Sequence, residues 1–388
     1  MKYHFKVSLC LTAALYAPVF AQSPSSSSER AVSNPVAAYV YVTRTVPGGS
    51  ENEIAAFSAA SDGKLTPLSG SPFQENVTSM AANGKFLFAA NSNKVDIDSY
   101  RIAPTGALSY ATTTSIAAPH SAGALGPMFF DRTGETLYDM EINGGGYNNN
   151  TYQSFTVDAP VGALDDMGNS SDNSWLSLPA TFIGNNVFAY TASCLQDMYW
   201  GIYGFQRGSS GLLSEIAINA DPPTPPDGYF YCPSQTATGQ DNHVVIAMQP
   251  VNQSDFEPDR PPQLATYTAD DKGNLSTTST HSNMPESSVV KVKDMKISPS
   301  GNLLAVAGNG GLQVFRFNGS VPITRYTGLL TKDEIDQCFW DNQNHLYSIS
   351  RNAGKLYVFT ITPTSYVQAP GSPYTIAQPH HIVVQPEP

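Results

Sequence analysis

Residues 57–65 read FSAASDGKL: an aromatic closing an alternating stretch, then, eight residues later, a leucine preceded by Gly-x. The pattern returns at Tyr100–Leu108, Phe155–Leu164, Phe205–Leu213 and Tyr267–Leu275, and in degraded form after Phe315 and Phe359. The aromatics stand 43 to 62 residues apart. Four short strands with their turns fill about 40–50 residues, so this period predicts propeller blades around one axis.

Working outward, a polar turn and an apolar strand precede each aromatic. Examples are AANGKFLFAAN, DRTGETLYDME, ATGQDNHVVIAM, SPSGNLLAVAG, WDNQNHLYSIS and the shorter FIGNNVFAYT. Gly and Asn tolerate positive φ, which suits hairpin turns. The turn joins the innermost strand of a blade to the second. The aromatic closes the third strand, and the Gly-x-Leu turn opens the fourth. AAYVYVTR (37–44) is then a second strand lacking its first, and HHIVVQP (380–386) a first strand lacking its second. Together they complete a seventh blade and close the ring, which removes free sheet edges. GSPF (70–73) and GSPY (371–374) fit equivalent outer segments of neighbouring blades. The fold class is therefore all-β: one seven-bladed β-propeller over 36–388, with four-stranded blades. The 30 Gly, 29 Pro and 13% charged residues agree with a turn-rich β chain.

Residues 1–21 read as a secretory signal peptide. Lys2 and Lys6 precede an apolar core, and Val19-Phe20-Ala21 fits a cleavage motif. Leu9 is too large for lipoprotein processing at Cys10. Residues 22–35 form a Ser/Pro-rich tether expected to be disordered. The expected location is secreted or periplasmic, with no membrane span. The formal charge of −12 becomes −14 once Lys2 and Lys6 leave, which argues against nucleic acid as a partner. Cys194 follows a second strand and Cys232 opens the next blade's inner strand, so a Cys194–Cys232 disulfide is expected in an oxidising compartment. Cys338, in DQCFWD, is expected as a buried free thiol. Six Asn-x-Ser/Thr sequons, from Asn76 to Asn318, matter only in a glycosylating host.

The segment YVYVTRTVPGGSENEIAAFSAASDGKLTPLSGSPF resembles the blade unit of lactonase-like seven-bladed propellers. These include 6-phosphogluconolactonase-like, carboxymuconate cyclase-like and YVTN-repeat proteins. The resemblance implies lactone chemistry for some members and none for others. Enzymatic members carry Gly-Pro-Arg-His opening one inner strand. Here Gly126 and Pro127 match, but Met128 and Phe129 replace the Arg-His pair. Glu141 matches the family's glutamate. Without the cationic pair, a phosphorylated or carboxylated lactone loses its expected partner.

Loops entering inner strands share one face with those leaving second strands, at the channel mouth. His120, Glu141 and His380 fall there as candidate catalytic groups. His381, Lys293, Asp294 and Asp336, with Glu334 beside them, are candidate ligand-binding residues. The plainer alternatives are structurally bonded histidines and a Lys293–Asp294 ion pair. His243 and His345 map to the opposite face as structural residues. Tyr199, Trp200, Tyr229 and Tyr231 suggest either inter-blade packing or a sugar- or peptide-binding platform. No metal site and no cofactor is expected, since P-loop, G-x-S-x-G and H-E-x-x-H patterns are missing. The sequence favours a monomeric binding module for a small molecule, glycan or protein. The alternative is a lactone hydrolase or cycloisomerase acting on a neutral lactone.

Overall fold

The computed structural model describes residues 35–387 apart from 93–94, 117–124, 142–149, 171–175, 177, 196–198 and 320. The expected signal peptide and all but Pro35 of the tether lie outside the described residues. Residues 34–388 form a single unit. It contains seven antiparallel sheets, each following chain order from its innermost strand outward, with one exception at the closure. The inner strands are Pro379–Pro386, Val77–Ala82, Met128–Phe130, Thr181–Phe182, Tyr229–Thr238, Lys291–Ile297 and Gln337–Trp340, which we number as blades 1 to 7.

Blade 1 closes the ring. Its inner strand, Pro379–Pro386, pairs antiparallel with Val36–Thr45, with Val384 opposite Val40 and His381 opposite Thr43. On its flanks it packs against the inner strands of blades 2 and 7. Blade 7 departs from the four-stranded expectation. Tyr374–Thr375 adds a fifth strand to Lys355–Ile361, beside Tyr366–Gln368. The GSPF and GSPY segments are equivalent, as their likeness suggests. Phe73 bridges Ile54 and Tyr374 pairs with Leu356, both on third strands. Ser71 Oγ accepts the N–H of Ala56 at 2.8 Å, and Ser372 Oγ that of Val358 at 2.9 Å.

The repeated motif has a packing cause. Its aromatics, including Phe57, Tyr100, Phe155 and Tyr267, are buried between blades, as are Leu65, Leu164, Leu213 and Leu275. Its glycine meets the preceding blade. Gly273 has φ +85, and a Cβ there would sit 2.7 Å from Ile216 and 2.9 Å from Phe188. Both the dihedral and the close approach demand glycine. The carbonyl beside it accepts the buried Tyr190 hydroxyl at 3.0 Å. The same staple recurs from Tyr41 to Gly106 O at 2.7 Å and from Tyr138 to Gly211 O at 2.7 Å. A tyrosine on one blade's second strand thus ties down the next blade's turn. No helix among the described residues is long and apolar enough to cross a membrane.

Candidate functional site: the central channel

The seven inner strands enclose a cavity of about 480 Å³ on the axis. Every blade contributes to its wall, because a propeller presents the edge of each inner strand to the axis. The wall combines an apolar side, Met128, Phe129 and Val383, with Arg132, Lys293, Lys296, Asp294, Asp336 and His381. Met128 is 5% exposed. The Phe129 ring stacks on Tyr138 at 5.1 Å and meets Tyr152 edge-on at 5.2 Å. The two positions expected from the family to carry Arg and His are therefore taken up in hydrophobic packing between blade 3 and its neighbours.

The charged groups at the mouth are tied to one another. Lys293 Nζ bonds Asp336 Oδ1 at 2.7 Å and also contacts Glu334. Burial disfavours the charge on Lys293, but these two carboxylates outweigh it and raise its pKa. Asp336 Oδ2 accepts the N–H of Arg351 at 2.8 Å. Asp294 does not pair with its neighbour Lys293. It bonds Lys296 at 3.0 Å and accepts the N–H of Cys338 at 2.9 Å. Lys293 is the extra residue at a register shift between Val292 and Asp294, so the two neighbours reach different partners on blade 7.

The two histidines of blade 1 also separate at a register shift, where His381 and Pro379 pair with Thr43 and Arg44 and His380 is the extra residue. His381 lines the cavity, and its Nδ1 is buried without a hydrogen-bond partner. Burial, then the charge of Lys296, pushes its pKa down to about 4. The ring is therefore neutral at pH 7. His380 turns away to Thr45, with Nε2 2.7 Å from Oγ1, and burial and Arg351 lower its pKa too. Glu141 ends the second strand of blade 3, its backbone opposite Thr151; its side chain is outside the described part. His120 also lies outside the described residues. Among the described residues no group of three His, Cys, Asp or Glu could hold a metal ion.

Cys194 and Cys232 are bridged, with Cα atoms 5.3 Å apart. The bridge ties the second strand of blade 4 to the inner strand of blade 5. Cys338 is free and fully buried, and burial pushes its thiol pKa well up, which suits a packing role. Tyr231 is also buried and donates to Gln263 at 2.5 Å, so it serves the core. Tyr229 is covered by Arg260, 4.1 Å from its ring centre. The side chains of Tyr199 and Trp200 are outside the described part. His345 and His243 start second strands on the opposite face, held by Asp341 and Asp241 at 2.6 and 2.7 Å. Sequence reasoning missed Arg132, in the DRTGET turn of blade 3. The turn itself was legible, but nothing in it says that the guanidinium turns inward.

No family model matches the chain, and no curated protein does. Solved structures do match its fold. A periplasmic gluconolactonase from Pseudomonas aeruginosa superposes with TM-score 0.62 at 14% identity, covering 89% of this chain and 98% of that one. Candidate 6-phosphogluconolactonases from Bacteroides uniformis and Bacteroides fragilis give TM-scores of 0.61 and 0.60 at 14% and 13% identity. Each covers 90% of this chain, and the match spans 100% and 98% of theirs. The fold is thus that of the lactonase-like seven-bladed propellers.

Proposed function

We propose that this protein is a secreted or periplasmic binding propeller that takes an uncharged small molecule, such as a lactone or sugar, into its channel mouth. The observation that carries this reading is a channel lining that is apolar at Met128, Phe129 and Val383, beside mouth charges already paired with one another. At the mouth an anionic ligand would meet a Lys293 already held by Asp336 and Glu334, and burying an unpaired anion is costly. An uncharged one gains apolar contact, and the neutral His381 ring offers it a polar contact. A cavity of 480 Å³ suits one such molecule. The Cys194–Cys232 bridge supports an oxidising compartment. A glycan end or a protein loop presenting the same chemistry is the wider partner class.

A second reading is a hydrolase or cycloisomerase for neutral lactones, using His120, Glu141 and His380. The likeness to a periplasmic gluconolactonase favours it. Assay of protein lacking residues 1–21 against a panel of neutral and anionic lactones separates the two. The binding reading expects saturable binding of uncharged members without turnover above the spontaneous rate. The enzymatic reading expects turnover that falls sharply in Glu141→Gln or His120→Ala, with a pH–rate limb at about 6–7.

A further inference from the structure

The cavity continues toward the face opposite the mouth, where the inner strands run into their turns. There a second cavity of about 260 Å³ is lined by Arg132, Thr238, Lys296, Phe339, Trp340 and Asn342, among others. We propose that this lower end is a binding site for an oxyanion, a phosphate or carboxylate group held by Arg132 and Lys296. The proposal is independent of the reading of the mouth.

Arg132 carries the argument. Its Nε donates to the carbonyls of Phe182 at 2.8 Å and Ile183 at 2.9 Å, in blade 4. Its Nη2 reaches Thr238 Oγ1 at 3.3 Å and the Gly239 carbonyl, in blade 5. These bonds fix the plane of the guanidinium across three blades. All the acceptors are neutral, and Nη1 makes no bond among the described residues. Burial lowers the pKa of Arg132, and the one acid that acts back on it is Asp241. That carboxylate is already engaged by the ring and backbone N–H of His243, at 2.7 and 3.0 Å. A fixed guanidinium with its Nη1 donors unused, facing a cavity and bonded to no carboxylate, is arranged for an oxyanion.

Lys296 supplies a second cation. It lines the same cavity, with Nζ 5.5 Å from the centre of the Phe339 ring and 3.0 Å from Asp294. Asp294 is the competitor an incoming anion must displace. Arg132 and Lys296 bring two cations to this end, against Asp294 and the more distant Asp241, in a chain whose formal charge is −12. Nothing in the overall composition points to such a site.

The test titrates protein lacking residues 1–21 with inorganic phosphate and with acetate against chloride at constant ionic strength. Melting temperature and calorimetry are the readouts. An anion that binds only the folded state raises Tm saturably. We expect this for at least one probe, with affinity lowered about tenfold or more in Lys296→Gln. It should rise in Asp294→Asn, which keeps an acceptor for the Cys338 N–H but frees Lys296. Arg132→Lys keeps the charge and loses the fork, so it should also bind more weakly. The two variants away from Arg132 keep the test decisive if the arginine is needed for folding. Neither probe exceeding chloride, or equal affinity in wild type, Lys296→Gln and Asp294→Asn, overturns the proposal.

Discussion

The Cys194–Cys232 bridge makes a prediction with a magnitude. The cysteines are 38 residues apart and close a loop holding the two outer strands of blade 4 and the passage into blade 5. Tethering a loop of that length removes denatured-chain entropy worth about 4 kcal/mol at 25 °C in the chain-entropy model. Unfolding residues 34–388 releases about 2.1 cal/mol/K per residue, so losing that term lowers Tm by about 5 °C. The shift is small because the domain is large, and scanning calorimetry resolves it. The comparison is protein lacking residues 1–21 with and without reductant, beside the Cys194→Ser/Cys232→Ser variant. The reduced protein and the variant should melt together, below the oxidised form. Thiol titration of the unreduced, denatured protein should find one free cysteine, Cys338. Three free thiols, or identical melting in all forms, would refute the reasoning and remove the structural support for an oxidising compartment.

Other expectations follow from the blade contacts and the channel. Tyr190→Phe strands the Gly273 carbonyl in a buried setting and should cost about 1–3 kcal/mol by urea denaturation. Gly273→Ala adds a left-handed residue and a clash with Phe188 and Ile216, so it should cost about 2–4 kcal/mol; a neutral result contradicts the packing account. His381, with its pKa depressed to about 4 against an unfolded value of about 6.5, binds fewer protons folded than unfolded between those values. Its contribution is present above about pH 6.5 and is lost as pH falls toward 4, by up to about 3 kcal/mol. His380 shifts the same way, so His381→Asn should flatten the slope without abolishing it. Denaturation curves at pH 4.5 and 7.5 check this, and unchanged slopes would show that His381 is not held neutral.

The fold was legible because its repeat is a backbone requirement. A glycine at positive φ, pressed against the preceding blade and followed by a buried or half-buried leucine, has few substitutes, so the sequence keeps it at Gly106, Gly162, Gly211 and Gly273. Closure was legible because strands 37–44 and 380–386 each lacked a partner. The extra strand Tyr374–Thr375 was not, since two residues carry no period. The site was harder to read. The channel wall takes a few residues from each of seven distant strands, and neighbours such as His380 and His381 part company at a register shift that no sequence pattern marks. Lys293 reached Glu334 and Asp336 instead of Asp294 for the same reason. Arg132 sat in a turn whose pattern reports its backbone and not where its side chain goes.

The most direct test of the channel reading compares gluconolactone with 6-phosphogluconolactone on wild type and on Met128→Arg/Phe129→His. Turnover is the decisive readout for the phosphorylated lactone, because its phosphate has a proposed seat at Arg132. The account predicts that wild type binds the uncharged lactone, with an affinity that falls when the apolar wall is replaced. It predicts no turnover of the phosphorylated lactone above the spontaneous rate. Robust hydrolysis of 6-phosphogluconolactone by wild type, or no measurable binding of any uncharged lactone or sugar, would contradict it.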